Sequence, residues 1–221
     1  MTKTFKYNIS EIFYSIQGEG TRVGRPCVFV RFQGCELRCD WCDTPYALEI
    51  KQKEQLMNLE EITQEVEKYE CKFVMLTGGE PLYHKGVKDL INWFCDNNFE
   101  VVIETNGHQS IAEIDKRANF VVDIKCPGSK MEKFNNYENF KHLKKNDEVK
   151  FVILNREDFD FAINIIRKYE LNNIVDNILF SPVFAVLEPV TLAEWILKEK
   201  INVRLQLQIH KFIWHPGKRG V

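Results

Sequence analysis

The sequence predicts an α/β protein in which a largely parallel sheet carries helices on its outer side. Three observations lead there. Short apolar runs rich in β-branched and aromatic residues recur along the 221 residues, stretches with apolar residues at helical spacing lie between several of them, and polar residues gather where the runs end. No repeat, low-complexity segment or linker rich in Pro, Gly or Ser interrupts the pattern, so residues 1–221 read as one domain.

In order, the strand-like runs are "CVFVRF" (27–32), "FVMLT" (73–77), "VVIE" (101–104), "FVVDI" (120–124), "VKFVIL" (149–154), "ILF" (178–180) and "VRLQLQI" (203–209). In the last, Arg204, Gln206, Gln208 and His210 alternate with Val203, Leu205, Leu207 and Ile209, the pattern of a half-polar strand. Helical spacing marks "LEEITQEVEKYE" from Leu59, residues 87–97, residues 158–169 and "LAEWILKEK" from Leu192. Asn58 with Glu61, and Thr191 with Glu194, predict capping boxes for the first and last of these. The charge run "KHLKKNDEVK" (141–150) reads as a solvated helix end and turn. Periodicity leaves open whether the sheet stays flat or curls into a partial barrel.

A net charge of −2 and a charged fraction of 28% suggest neither a nucleic-acid partner nor a membrane surface. The start, "MTKTFKYNIS", has no apolar leader, and no window approaches the roughly 18 apolar residues of a spanning helix. A cytoplasmic protein is the expectation, in which seven cysteines stay reduced and a tight cluster of them binds metal or does redox work. At the strand ends stand Thr77 before "GGEP", Glu104 before "TNG", Asp123 and Lys125 before "CPGS", and Ser181 with Pro182. Ligands of parallel α/β folds bind at that edge, because loops there are free to carry function. The pattern argues for an enzyme.

"GCELRCDWCDTPYA" (34–47) places Cys35, Cys39 and Cys42 in one loop. Structural zinc takes four ligands, and no fourth Cys or His follows within the next twenty residues. Cys71 at a helix end and Cys95 inside a helical pattern read as buried reduced thiols. A [4Fe–4S] cube normally takes four thiolates. Three leave one iron open to a small chelator, and the amine and carboxylate of S-adenosylmethionine are such a pair. Zinc and coincidence remain alternatives at this point.

C-x3-C-x2-C with Trp41 before the third cysteine, and "TGGEP" (77–81) closing a strand about thirty-five residues later, resemble the motifs of the radical S-adenosylmethionine enzymes. "SIQGEG" (15–20), "FVRFQGCELRCDWCDT" (29–44), "ETNG" (104–107), "DIKCPGS" (123–129), "LQIHKFIW" (207–214) and "KRGV" at residues 218–221 narrow the resemblance to the 7-carboxy-7-deazaguanine synthase family of queuosine biosynthesis. That resemblance implies a pared-down radical SAM partial (β/α) barrel and a homodimer. The implied reaction converts 6-carboxy-5,6,7,8-tetrahydropterin to 7-carboxy-7-deazaguanine with release of ammonia. A [4Fe–4S] cluster, S-adenosylmethionine, Mg2+ and an electron donor such as flavodoxin or ferredoxin are implied with it. Relatives read "CDIKCPGS" where this chain has Val122 before Asp123.

By the same resemblance Cys35, Cys39 and Cys42 are the cluster ligands. Trp41, Gly79, Glu80, Glu104, Asp123, Ile124, Lys125 and Ser181 are cofactor positions. Ile16, Gln17, Gly18, Glu19, Arg31, Thr77 and Val221 are substrate positions, Val221 through a terminal carboxylate, and Thr44 is a magnesium ligand with Asp43 beside it. Residue chemistry agrees in places. Gln and Glu can pair with the amide and amine of a pterin edge, and an inward Arg31 in a strand needs an anion. Blander readings stand beside these: a hairpin turn for "QGEG" between two strand-like runs, an exposed edge for Arg31, an ordinary turn carboxylate for Glu80, packing for Trp41, an N-cap for Thr44, and solvent for His210. Rival functions are a glycyl-radical-enzyme activase of the same superfamily and a non-catalytic zinc-binding module.

Overall fold

The computed structural model describes residues 5–50 and 55–221; residues 1–4, part of the stretch read above as lacking a leader, and residues 51–54 lie outside the described residues. Strand β1 (Lys6–Ile16) turns back through residues 17–25 onto β2 (Pro26–Phe32), antiparallel, and β3 (Gln55–Asn58) adds antiparallel to the other side of β1. From β2 onward every pairing is parallel, through β4 (Phe73–Gly78), β5 (Glu100–Thr105), β6 (Asn119–Ile124), β7 (Glu148–Ile153), β8 (Asn177–Pro182) and β9 (Arg204–Leu205). The order is β3-β1-β2-β4-β5-β6-β7-β8-β9 in one sheet of nine strands. The first and last strands do not pair, so the barrel is not closed. Yet Ile209 N–H donates to the Gly18 carbonyl at 3.1 Å, so the chain beyond β9 reaches the β1–β2 hairpin. The sheet curls, and side chains bridge its gap.

Helices α1 (Leu59–Glu67), α2 (Val87–Asp96), α3 (Arg156–Lys168) and α5 (Pro189–Glu199) are joined by the single turns α4 (Leu171–Ile174) and α6 (His210–Ile213). The Asn58 capping box forms: Glu61 N–H donates to Asn58 Oδ1 at 2.9 Å and Asn58 N–H donates to Glu61 Oε2 at 2.7 Å. The box expected at Thr191 does not. Pro189 opens α5 because its locked φ and missing N–H suit the first helical position, which leaves Thr191 inside the first turn. Helix α3 likewise starts two residues early, capped by Asn155, whose Oδ1 accepts from Asp158 N–H at 3.0 Å. The strand expected over 203–209 shrinks to Arg204–Leu205. Gln206 and Gln208 turn instead to Glu19, so their shared face survives without the strand.

Side chains alternate across each strand and separate two faces. Val28, Val30, Phe32, Val74, Leu76, Ile103, Val122, Ile124, Phe151 and Phe180 face the helices in the main core. Full burial of such a side chain contributes about 1.5–3 kcal/mol. The alternate residues form the inner face. Met75, Val102 and Val121 pack there in a smaller apolar cluster. One residue pair further along come Arg31, Thr77, Glu104, Asp123 and Lys150.

At the opposite end of the inner face, residues 20–22 form a floor. Thr21 donates through N–H (3.1 Å) and Oγ1 (2.5 Å) to Glu148, and Arg22 bridges Glu148 (3.1 Å) to Glu100 (2.7 Å). Glu148 has 1% of its side chain exposed, so removing it would leave the buried Arg22 guanidinium with Glu100 alone and take the acceptor from Thr21 N–H and Oγ1. Glu148→Ala should therefore lower unfolding free energy by about 3 kcal/mol, read from a denaturant titration. A change within experimental error would exclude a load on this floor. Among the described residues no helix is long and apolar enough to cross a membrane.

Candidate active site

A pocket of about 690 Å³ opens at the C-terminal edge of the parallel strands. One wall is the cysteine loop. Gly34 N–H donates to the Ala47 carbonyl at 2.8 Å and Cys35 N–H to the Leu48 carbonyl at 3.0 Å, so the loop closes on its own stem. Cys35, Cys39 and Cys42 are free thiols, partly exposed, and all line the pocket with Trp41. Cys35 Sγ accepts from Leu37 N–H at 3.4 Å and from Asn106 Nδ2 at 3.6 Å. Burial pushes the Cys35 thiol up to about 11 and raises Cys39 as well. A thiol so placed ionises only against a strong cation, which iron supplies. Among the described residues no three His, Cys, Asp or Glu side chains converge on one ion-sized position.

The glycines after β4 fit against this loop. Gly78 has φ +118, and a Cβ on Gly79 would stand 2.2 Å from the Gly34 carbonyl oxygen and 2.8 Å from that of Ala47. Only glycine lets two backbones approach so closely. Glu80 N–H donates to the Gly34 carbonyl at 2.8 Å. Glu80 does not face the pocket, contrary to its expected cofactor contact. Its carboxylate is fully buried and accepts from Leu82 N–H (3.0 Å), Thr105 Oγ1 (2.8 Å) and Asn106 N–H (2.7 Å), while burial pushes it up to about 7. It ties the glycine turn to the end of β5; the turn-carboxylate reading describes it.

The inner strand ends supply a charged ring. Arg31 Nε donates to Glu11 Oε1 at 2.8 Å, and the Tyr46 hydroxyl donates to the same oxygen at 2.9 Å. Thr77 Oγ1 donates to Glu104 Oε2 at 2.8 Å. Lys125 pairs with Asp123 Oδ2 at 2.8 Å, and the buried Asp123 Oδ1 has no partner. That orphaned acceptor, aimed beside the thiols, fits a ligand bearing hydroxyl or ammonium donors. Burial alone would raise Glu104, but Lys150 holds it at about 2; the same two forces leave Lys150 well above its usual range, since Glu104 and Glu19 outweigh its burial. Ser181 lines the pocket from β8. Ile124 does not. Its side chain, 1% exposed, lies on the helix-facing side of β6, because neighbours in a strand point oppositely.

The hairpin after β1 closes the other wall. Gly24 N–H donates to the Gln17 carbonyl and Gln17 N–H to that of Arg25, both at 2.8 Å, so "QGEG" is a hairpin turn that also lines the pocket. Gln17 Oε1 accepts from Glu19 N–H at 3.0 Å. A Cβ on Gly18 would meet His210 Nδ1 at 2.1 Å, so glycine there makes room for the imidazole. His210 lines the pocket rather than facing solvent, and burial lowers its pKa. Ile16, Thr44, Asp43 and Val221 line it too, and Asp43 accepts from Gln208 Nε2 at 3.1 Å. Thr44 stands at an N-cap position but makes no side-chain cap bond. Cys126 and Cys95 are buried away from the pocket; Cys71 is partly exposed, against the expectation of a buried thiol, because it lies between α1 and β4 and not in a helix. Sequence reasoning passed over Lys150, Asn106, Glu11 and Tyr46. Lys150 carried a signal, since a lysine amid "VKFVIL" needs an anion as Arg31 does.

The model of the radical SAM superfamily matches residues 29–196. Full-length relatives named 7-carboxy-7-deazaguanine synthase include one from Clostridium acetobutylicum, 43% identical over 97% of this chain and 99% of its own, and one from Chlorobaculum tepidum, 41% identical over 97% of each. The crystal structure of QueE from Escherichia coli superposes with a TM-score of 0.73 at 23% identity, over 93% of this chain and 94% of that one. Streptococcus suis SuiB bound to S-adenosylmethionine shares the fold at a TM-score of 0.54 and 15% identity, over 78% of this chain and 48% of that one. A curled parallel sheet with three thiols at its C-terminal mouth thus defines a radical SAM enzyme, whose family employs a [4Fe–4S] cluster and S-adenosylmethionine. Within that superfamily the chain belongs to the 7-carboxy-7-deazaguanine synthase family.

Proposed function

We propose that this enzyme converts 6-carboxy-5,6,7,8-tetrahydropterin to 7-carboxy-7-deazaguanine, a carbon–nitrogen lyase reaction releasing ammonia. One observation carries the reading: a single pocket has three thiols on one wall and the hydrogen-bonding hairpin Ile16–Gln17–Gly18–Glu19 on another, with Arg31 and Thr77 between. Cys35, Cys39 and Cys42 would hold the cluster, and Trp41, Gly79, Glu104, Asp123, Lys125 and Ser181 would surround S-adenosylmethionine. Cluster and S-adenosylmethionine together supply one-electron radical chemistry when bound.

The chain's own residues orient and shield. Gln17 and Glu19 suit the N–H edge of a pterin. Arg31 commits Nε to Glu11 and leaves its terminal nitrogens for the substrate carboxylate. Thr44 beside Asp43 suits Mg2+, which binds oxygen and keeps several waters that a neighbouring carboxylate can hold. Glu104 stays ionised at neutral pH and serves as an acceptor. The lumen behind is closed by the residue 20–22 floor, which limits water entry from that end. We further propose a cytoplasmic homodimer, one domain per chain, reduced by a flavodoxin- or ferredoxin-type donor and acting without nucleic acid.

Anaerobic incubation of reconstituted enzyme with the pterin, S-adenosylmethionine, Mg2+ and reductant tests this. Deazaguanine product is expected. An intact cluster that yields no such product would overturn the assignment.

A further inference from the structure

Lys150 stands on the inner face of β7 with 8% of its side chain exposed, and its Nζ donates to Glu19 Oε2 at 2.8 Å and to Glu104 Oε1 at 2.9 Å. These acceptors come from distant parts of the chain: Glu19 from the β1–β2 hairpin and Glu104 from β5. Each is otherwise held by neutral groups. Gln206 and Gln208 donate through Nε2 to Glu19 at 2.8 and 2.7 Å, and Thr77 Oγ1 donates to Glu104. Among the described residues Lys150 is the one cation within ion-pair distance of either carboxylate. Arg31, Lys125 and His210 complete the charged surroundings together with Asp123, without bonding to the pair.

Two carboxylates facing one ammonium form a net-negative cluster that stays ordered only while the cation is present. Without it, like charges in a poorly solvated lumen repel, and one carboxylate takes up a proton or turns away. We propose that Lys150 is a positioning residue for the reaction: it locks substrate-side Glu19 and cofactor-side Glu104 in register, so that the two halves of the pocket are set by one side chain. This rests on the functional reading above. No residue on β7 was expected in the site, and the two carboxylates look unrelated in sequence.

The test uses anaerobically reconstituted holoenzyme as wild type, Lys150→Met, Lys150→Arg, Glu104→Gln and the Lys150→Met/Glu104→Gln pair. Pterin and S-adenosylmethionine affinities come from calorimetry and the thermal midpoint from a melt. Lys150→Met should weaken both ligands about tenfold or more. Lys150→Arg, which keeps the charge but not the point geometry, should keep the thermal midpoint while raising the pterin KM with a smaller change in kcat. The double variant should melt above Lys150→Met, since one of the opposed carboxylates has become neutral. A purely structural lysine would lower the midpoint alone. Affinities within twofold of wild type in folded Lys150→Met, or additive midpoint changes in the pair, overturn the proposal. Where Lys150→Met does not fold, an unchanged pterin KM in Lys150→Arg overturns it. If wild type does not bind the pterin, the functional reading falls, and S-adenosylmethionine affinity alone then decides whether Lys150 sets Glu104.

Discussion

Replacing any one of Cys35, Cys39 or Cys42 by Ala is expected to abolish turnover and leave the purified protein poor in iron and sulfide. The reason is stoichiometric. The loop offers three thiols, one fewer than a cubane normally takes, so a further loss leaves two corners without protein. The loss should exceed the roughly 10–100-fold typical of changes behind the ligands. Cys95→Ala and Cys126→Ala provide the contrast. Both thiols are buried in the core, and neither lines the pocket. They should keep iron and activity while losing about 1–2 kcal/mol of stability from lost packing. Full iron content in Cys39→Ala, or iron loss in Cys95→Ala, would mean that the cluster sits elsewhere.

Gly79→Ala should be nearly as damaging. The added methyl would meet backbone on two sides, the Gly34 carbonyl at 2.2 Å and the Ala47 carbonyl at 2.8 Å. Neither neighbour is the free end of a flexible side chain, so the glycine turn and the stem of the cysteine loop must separate. Overpacking of this kind costs about 1–3 kcal/mol. The displacement also lands on the wall that presents the thiols, and misplacement by about 1 Å can cost on the order of 100-fold in rate. A melt combined with initial rates separates the two effects. Turnover should fall further than the lost stability accounts for. Normal kinetics for Gly79→Ala would show that the contact yields easily.

Most of the candidate site was legible because its signals are local. Cysteine spacing, paired glycines after an apolar strand and charged residues interrupting strands each reflect chemistry that a single segment needs. Arg31, Thr77, Asp123 and Ser181 lie at the pocket as their strand positions implied. The same alternation turns the Ile124 side chain away from the pocket, although it shares a strand with Asp123. Thr191 misled because a capping pattern carries no information about a proline two residues upstream. The "LQLQ" pattern misled because a polar side chain can turn toward a buried acid as readily as toward a sheet edge.

The sequence by itself determined the α/β class, the parallel core, the cysteine loop and the family, since strand alternation and motif spacing are properties of neighbouring residues. Tertiary structure alone decided which acids face ligand and which are tied into the protein. Glu80 follows one apolar strand and Glu104 stands near the end of the next, yet one is sealed by three internal donors while the other meets Lys150 in the lumen. That difference depends on which chemical groups the curl of the sheet brings within about 3 Å, and the donors from β4, β5 and β7, with the Glu19 acceptor from the β1–β2 hairpin, are set by closure of the whole sheet, which no local stretch encodes.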